Sequence, residues 1–252
     1  MRIAWESAGD GPPLLMIHGL GYTRQGWGPA RDLLARSFRV VSFDNRGIGE
    51  SEVPPGPYTV AQLAEDALRV LDEAGAGRAH VLGTSLGGFV AQEVAARAPE
   101  RVDRLVLACT MPGGPKSFPI PQPTLDLMAR MGTMPPDEAL RAFVVNALGD
   151  APRDGLVDEI YAYRLAHQPP LDGWQAQAAA GAAFDGFDRL REIRAPTLVL
   201  TGLEDRVVDP RNVQLLNDGI AGSRVELFPG CGHLFFWEEP ERFAGVVTEF
   251  LQ

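Results

Sequence analysis

Three side chains in this sequence belong to the types that together perform nucleophilic catalysis: a serine, a histidine and an aspartate. The serine, Ser85, stands in Gly83-Thr84-Ser85-Leu86-Gly87, between an apolar run that predicts a buried strand and a segment that predicts a helix. A G-x-S-x-G at such a junction is typical of a nucleophile elbow, a tight turn that lifts the serine hydroxyl out of the sheet. Glycines are needed on both sides because strand and helix pass too close for a Cβ atom.

A serine hydroxyl is a weak nucleophile at neutral pH, so it needs a base, and the base needs an orienting partner. His233 follows the last predicted strand in a glycine-rich loop and is the predicted base. Asp205 follows another predicted strand and is the predicted orienting acid, with Glu204 and Asp209 as competitors. Asp209 precedes Pro210 and is expected to cap the next helix. The order serine, aspartate, histidine along the chain is that of one hydrolase class and differs from the two common protease orders.

Attack by Ser85 on a carbonyl would also require two backbone N–H groups aimed at the developing oxyanion. Leu86 follows the serine directly and is the first predicted donor. Leu20, in the loop His18-Gly19-Leu20-Gly21 after the first apolar strand, is the predicted second donor. His18 is expected to order this loop by hydrogen bonding and not to act as a catalyst.

These residues must be positioned by the elements around them, and the chain alternates apolar strands with helical segments. The fold class predicted is α/β, with a mostly parallel central sheet flanked by helices. Catalytic groups in such a sheet lie at the carboxyl ends of the strands. The predicted strands cover residues 14–17, 38–43, 79–82, 104–109, 197–201 and 224–228.

The alternation stops between about residue 110 and residue 190. This stretch opens with prolines and glycines and then contains four helix-forming segments, so it predicts a helical cap insertion at 111–190. Residues 1–110 and 191–252 would then form the core domain. A second independent domain is the alternative, but the stretch is short and poor in continuous core. The candidate pocket residues in the cap are Met128, Phe143, Tyr161 and Trp174, with internal packing of the cap as the alternative role for each.

Composition narrows the class of protein. The chain has 252 residues, 45% of them hydrophobic and 22% charged, which is ordinary for a globular protein. A net charge of −10 argues against nucleic acid or an anionic membrane as a partner. Its two cysteines and four histidines are scattered, so no metal site and no cofactor are expected. Without a visible secretory signal or an apolar run of spanning length, a cytoplasmic location is expected.

Taken together, the motifs resemble the α/β-hydrolase superfamily over nearly the whole chain. They are His18-Gly19-Leu20-Gly21, Asp44-Asn45-Arg46-Gly47-Ile48-Gly49-Glu50-Ser51, Gly83-Thr84-Ser85-Leu86-Gly87-Gly88, Gly202-Leu203-Glu204-Asp205 and Gly230-Cys231-Gly232-His233. The pattern is most similar to 3-oxoadipate enol-lactonase-like proteins and small carboxylesterases. The resemblance implies a Ser-His-Asp enzyme that hydrolyses a small carboxylic ester or lactone.

The resemblance leaves other activities open. Hydrolases of carbon–carbon bonds and cofactor-free perhydrolases or haloperoxidases keep the same triad, and some proteins of this fold bind small signalling molecules. Haloalkane dehalogenases and epoxide hydrolases use an aspartate nucleophile and are excluded by Ser85. The elbow carries Leu86 where close enol-lactonases and carbon–carbon hydrolases often carry methionine, and the insertion matches no particular member. The sequence carries no signal for an oligomeric state.

Overall fold

The computed structural model describes all 252 residues and contains a single seven-stranded sheet. The strands form in the apolar runs expected from the sequence, with one addition at the N-terminal end of the chain. In chain order they are β1 (Trp5–Ala8), β2 (Pro13–Ile17), β3 (Arg39–Phe43), β4 (Ala79–Thr84), β5 (Val102–Ala108), β6 (Thr197–Gly202) and β7 (Arg224–Phe228).

The strand order across the sheet is β1-β3-β2-β4-β5-β6-β7. All neighbours are parallel except β1, which pairs antiparallel with β3. The prediction of a mostly parallel sheet is therefore confirmed. The sequence analysis did not predict β1, because its residues are half exposed and form no continuous apolar run.

The helices lie between the strands and cover both faces of the sheet. The helix predicted after Ser85 and the four helical segments predicted between residues 110 and 190 are all present. The ten helices are α1 (Pro29–Leu34), α2 (Val60–Glu73), α3 (Leu86–Arg97), α4 (Gln122–Met131), α5 (Pro136–Asn146), α6 (Leu156–Ala166), α7 (Leu171–Ala182), α8 (Asn212–Gly219), α9 (Phe235–Glu238) and α10 (Pro240–Leu251). None of them has the length and apolar character that crossing a bilayer requires.

The hydrophobic core forms two layers, one on each face of the sheet. Alternate side chains of a strand point to opposite faces, so Leu15 and Ile17 of β2 enter one layer while Leu14 and Met16 enter the other. Helices α2, α3 and α8 cover the first layer, and α1, α9 and α10 cover the second. Burial on both faces explains why the inner strands are continuously apolar.

Four consecutive helices, α4 to α7, stand between β5 and β6 in the chain. We call residues 111–190 the helical insertion. It contains no strand of the central sheet, and a single bridge, between Gly113 and Asp185, brings its two ends together. The strand before the insertion, β5, pairs directly with the strand after it, β6. The insertion therefore does not interrupt the sheet.

Candidate active site

Ser85 occupies a sharp turn between β4 and α3 and has φ of 54°, a left-handed value that a non-glycine residue rarely adopts. A Cβ on Gly83 would lie 2.2 Å from the carbonyl oxygen of Gly87, and one on Gly87 would lie 2.0 Å from that of Ile17. Neither position can therefore carry a side chain. The Ser85 Oγ is partly accessible and has no hydrogen-bond partner within the protein.

The strained turn is held by the neighbouring strand. The Ser85 N–H donates to the carbonyl of Ala108 at 3.0 Å, and the Thr110 hydroxyl donates to the Ser85 carbonyl at 2.8 Å. The Thr110 side chain also fills the space that a Cβ on Gly88 would need. The end of β5 thus fixes the serine backbone from both sides, as a residue in a sparsely populated conformation requires.

His233 and Asp205 form a buried pair beyond the carboxyl ends of β7 and β6. Ser85 follows the carboxyl end of β4 in the same sheet. Nδ1 of His233 lies 2.7 Å from Oδ2 of Asp205, and the two residues are only 8% and 3% exposed. The second carboxylate oxygen of Asp205 accepts from the N–H groups of Val207 and Val208 at 2.8 and 2.9 Å. Burial alone would lower the pKa of His233, but the adjacent Asp205 carboxylate holds it well above 6.5.

The two competing acids lie elsewhere. The Glu204 carboxylate accepts from the N–H of Asp150 at 2.6 Å, in the helical insertion. Asp209 accepts from the N–H of Arg211 and pairs with its guanidinium at 2.6 Å, just before α8 begins. Of these three acids, only Asp205 forms a hydrogen bond with His233.

The histidine loop is fixed by the short helix that follows it. The Glu238 carboxylate accepts from the N–H of Gly232 and from that of Gly149, each at 2.8 Å. The Trp237 indole donates to the carbonyl of Gly26 at 2.8 Å. Glu238 therefore ties the loop that carries His233 to the end of α5, and this contact was not predicted from the sequence.

Cys109 has an unusual backbone conformation next to the serine turn. It follows β5 with φ of 40°, and its thiol lies 2.8 Å from the Thr84 hydroxyl. Cys109 is fully buried, and neither its left-handed backbone nor its contact with Thr84 follows from a pattern in the sequence.

The loop after β2 lies directly against the serine. A Cβ on Gly19 would lie 3.5 Å from Ser85 Oγ. Four of the five backbone N–H groups from Gly19 to Thr23 have acceptors within the protein, and the remaining one belongs to Leu20. Leu86 is the first residue of α3, where an N–H has no acceptor in the helix. The N–H groups of Leu20 and Leu86 therefore have no acceptor within the protein.

His18 orders this loop as a neutral ring. Its Nδ1 accepts from the N–H of Gly19 at 2.7 Å, and its ring stacks on Tyr22 with centroids 4.6 Å apart. Complete burial lowers the pKa of His18 to about 3, so the ring carries no charge at neutral pH. This agrees with the expectation that His18 shapes the loop.

Side chains of the helical insertion hold the next stretch of the same loop. Gln177 of α7 is completely buried; its Oε1 accepts from the N–H of Gly21 at 3.2 Å and its Nε2 donates to the carbonyl of Arg46 at 2.8 Å. Arg164 of α6 donates to the carbonyl of Gly21 at 2.8 Å. The Tyr163 hydroxyl accepts from the N–H of Thr23 at 3.2 Å. Sequence reasoning missed all three residues.

An apolar wall extends from the elbow to the insertion. The rings of Phe89 and Phe184 stack with centroids 4.8 Å apart. A Cβ on Gly181 of α7 would lie 3.1 Å from Leu86 and 3.8 Å from Phe89. These side chains fill the space between the elbow helix and α7, where Leu86 and Phe89 are only 5% and 6% exposed.

The predicted pocket residues are not brought together. Trp174 packs its ring against the backbone of Gly21 in the loop beside Ser85, at 2.7 Å from the position of a Cβ there. The guanidinium carbon of Arg141 lies 5.5 Å from the centroid of the Tyr161 ring. Phe143 is half-buried in α5. Met128 is 48% exposed on α4. Of the four, only Trp174 contacts the loops around the serine.

An open groove of about 710 Å³ lies between α4 and α5. Charged side chains such as Asp126, Arg130 and Arg141 form much of its wall. Neither Ser85 nor His233 is part of its lining, so this groove is separate from the candidate catalytic groups.

Comparison with known proteins gives one family. A family model described as the alpha/beta hydrolase fold matches residues 12–240. Among curated proteins, the 2-hydroxy-6-oxononadienedioate/2-hydroxy-6-oxononatrienedioate hydrolase of Cupriavidus pinatubonensis is 33% identical over 264 residues, covering 99% of this chain and 90% of that protein.

Solved structures agree with this family. A hydrolase from Pseudomonas aeruginosa PA01 is 35% identical with a TM-score of 0.84, and the match covers 99% of this chain and 94% of that one. The enol-lactonase from Burkholderia xenovorans LB400 is 27% identical with a TM-score of 0.84, covering 99% and 96%. Because the family model spans most of the chain and the relatives align end to end, this protein belongs to the α/β-hydrolase fold family.

Proposed function

We propose that the protein is a serine hydrolase that cleaves a carboxylic ester or lactone of a small to medium, largely apolar substrate. The observation that supports the proposal is that three features follow the carboxyl ends of neighbouring parallel strands. These are the unpartnered hydroxyl of Ser85, the buried pair of His233 and Asp205, and the free N–H of Leu20 beside the serine. Acyl transfer needs a nucleophile, a base and a site for an oxyanion, and each has a candidate here.

In the first step, His233 takes the proton of Ser85 as Oγ forms a bond to the substrate carbonyl carbon. Since Nδ1 is engaged with Asp205, the proton goes to Nε2. The N–H groups of Leu20 and Leu86 stabilise the negative charge on the carbonyl oxygen. The tetrahedral intermediate collapses, the bond to the leaving alkoxide oxygen breaks, and this oxygen receives the proton from Nε2.

In the second step, water attacks the acyl-enzyme and gives a proton to the same Nε2. The acyl–oxygen bond to Ser85 breaks, the serine recovers its proton, and the acid leaves. Asp205 holds the imidazole in the tautomer that this sequence needs and stabilises its cationic form. The same stabilisation of the cationic ring raises the pKa of His233.

The substrate class is supported by the surface next to the serine. Leu86 and Phe89 both approach Gly181 of α7, and Phe89 stacks on Phe184. An acyl group bound against these side chains would be aliphatic or aryl. The helical insertion would act as the cap that closes this site, because α7 lies against both the elbow helix and the loop of Leu20. No cofactor takes part in the proposed chemistry.

Hydrolysis of a carbon–carbon bond is the second candidate, favoured by the 33% identity to the hydrolase of Cupriavidus pinatubonensis. Its substrate, as named, is a dicarboxylate. The apolar wall favours the ester or lactone for this chain, whereas the same serine, histidine and oxyanion donors would serve both reactions.

The experiment is release of p-nitrophenol from esters of increasing acyl length, in the burst and the steady state, with wild type and Ser85→Ala. We expect a burst and turnover in the wild type and neither in the variant. A lactone and a vinylogous 1,5-diketone of the kind that carbon–carbon hydrolases cleave are assayed beside the esters. Turnover of the diketone alone would favour the second candidate, and ester turnover that survives in Ser85→Ala would refute the assignment of the nucleophile.

A further inference from the structure

We propose that Gln177, Arg164 and Tyr163 are positioning residues that hold the backbone N–H of Leu20 in its place beside Ser85. The helical insertion would then complete the oxyanion site and not only cover it. This inference rests on the proposed function, because it takes the Leu20 N–H as a donor to the substrate oxyanion. The three side chains come from α6 and α7 and contact the loop that the core provides.

Gln177 gives the strongest evidence, because both the oxygen and the nitrogen of its side-chain amide bind backbone groups. It is 0% exposed, and burying an unpartnered amide would be costly. Its Oε1 accepts from Gly21, the residue after Leu20, and its Nε2 donates to the carbonyl of Arg46 on the neighbouring loop. The side chain therefore bridges two core loops from the insertion, a role that an apolar residue of the same size could not fill.

Arg164 and Tyr163 bind the other polar groups of the same loop. Arg164 donates to the carbonyl of Gly21 and lies over the ring of Tyr22, with its guanidinium carbon 4.2 Å from the centroid. The Tyr163 hydroxyl contacts both the N–H and the hydroxyl of Thr23, at 3.2 and 3.0 Å. No acidic side chain pairs with Arg164, so its hydrogen bond to the loop is not secondary to an ion pair.

These contacts restrict the backbone of Leu20 on the side where the core domain supplies no hydrogen bond. The peptide before Leu20 is held within the loop, since the carbonyl of Gly19 accepts from the N–H of Tyr22 at 3.3 Å. The peptide after Leu20 is held only by Gln177 through its N–H. Fixing both peptide planes fixes the backbone angles of Leu20, and with them the direction of its N–H. A shift of about 1 Å in such a donor can lower a rate by about 100-fold.

The test compares Gln177→Met with Gln175→Met. Methionine has nearly the shape of glutamine but neither donates nor accepts like an amide, and Gln175 is exposed on the same helix without a side-chain hydrogen bond. For a p-nitrophenyl ester that the wild type cleaves, we expect kcat of Gln177→Met to fall by about 10- to 100-fold with KM nearly unchanged. Gln175→Met should keep the kcat and KM of the wild type.

Two further readouts separate positioning from general damage to the fold. Affinity for a trifluoromethyl ketone, which forms a hemiketal oxyanion with serine, should fall in Gln177→Met by the same factor as kcat/KM. Amide hydrogen exchange at Gly21 should become faster in that variant while exchange in the β4 and β5 strands stays slow. Tyr163→Phe removes only a hydroxyl, so it should lower kcat in the same direction and speed exchange at Thr23 with the ring packing kept.

The outcomes distinguish this inference from the proposed function. Wild-type kcat and trifluoromethyl ketone affinity in both Gln177→Met and Tyr163→Phe would overturn the positioning role while leaving Ser85-dependent hydrolysis intact. Unchanged hydrogen exchange at Gly21 in Gln177→Met would overturn it as well, whatever the substrate. A Ser85→Ala variant that keeps full activity would instead overturn the proposed function.

Discussion

Replacing Asp205 by asparagine tests how the candidate base is held in one tautomer. The change removes a charge but keeps the shape of the side chain, so the surrounding backbone should stay in place. Oδ1 of Asp205 accepts from two N–H groups, those of Val207 and Val208, while Oδ2 faces Nδ1 of His233. In Asp205→Asn, the amide oxygen will keep the two N–H groups, and the NH₂ group must then face His233.

An NH₂ group that points at Nδ1 requires this nitrogen to accept, so the proton of neutral His233 moves to Nε2. A ring with a proton on Nε2 cannot take the proton of Ser85. Turning the amide round would restore the useful tautomer but would leave two partly buried N–H groups without acceptors, at about 1–3 kcal/mol each. The productive tautomer is thus disfavoured by about 2–6 kcal/mol, which corresponds to a loss of about 30-fold to 10⁴-fold in kcat.

The assay is steady-state hydrolysis of the best p-nitrophenyl ester by Asp205→Asn, with Glu204→Gln and Asp209→Asn as controls. Both control carboxylates bind other groups, Asp150 and Arg211 respectively, and both variants should keep the wild-type kcat. A kcat in Asp205→Asn within about threefold of the wild type would refute the reasoning from the tautomer. A large loss in Glu204→Gln instead would move the role of the orienting acid to Glu204.

Three other predictions follow from the same geometry. Because Asp205 raises the pKa of His233 and a protonated ring cannot act as a base, kcat/KM should rise with pH, and its pH profile should have a midpoint above 6.5. Gly87→Ala places a Cβ 2.0 Å from the carbonyl of Ile17 and should destabilise the fold by about 3 kcal/mol or more, seen as a lower denaturation midpoint in urea. Phe184→Ala removes a ring stacked on Phe89 and should shift the best ester to a longer acyl chain, measured as kcat/KM across a chain-length series.

Each of these has a control or a contrary outcome. A midpoint of the pH profile that does not move down in any residual activity of Asp205→Asn would contradict the electrostatic cause. Gly245→Ala is the matched control for Gly87→Ala, because a Cβ at Gly245 in α10 meets nothing within 4 Å; it should stabilise by about 0.5–1 kcal/mol. An unchanged acyl-length preference in Phe184→Ala would mean that the acyl group does not lie on this wall.

Much of the architecture was predictable, because it depends on local patterns. The apolar runs in the inner strands and their alternation with helical segments are properties of neighbouring residues, and they predicted the α/β class that the structure shows. The elbow was equally visible, because its serine and glycines form a short local pattern. The contact that requires Gly83 is with Gly87, four residues on, whereas Gly87 itself packs against Ile17 of β2. The roles of Ser85, Asp205 and His233 stay predictions until the assays are done.

What the sequence could not reveal depends on contacts across long separations. Gln177 is one of two glutamines in α7, and its partner Gly21 lies 156 residues away. Glu238 contacts Gly149 over 89 residues, and no local pattern indicates either pairing. The choice of Met128 as a pocket residue relied on its apolar type alone, and the side chain is 48% exposed.

The antiparallel strand β1 has a consequence for the behaviour of the protein in concentrated solution. An open sheet has two edges whose unpaired backbone groups can pair with a strand of another molecule. Here the edges are β1, with four residues including Glu6, and β7, with five residues including Arg224 and Glu226. Short, charged edges resist such pairing. Without β1, the edge would pass to β3, whose Val40 and Val41 are fully buried, and we expect a chain that lacks its first eight residues to aggregate through that strand.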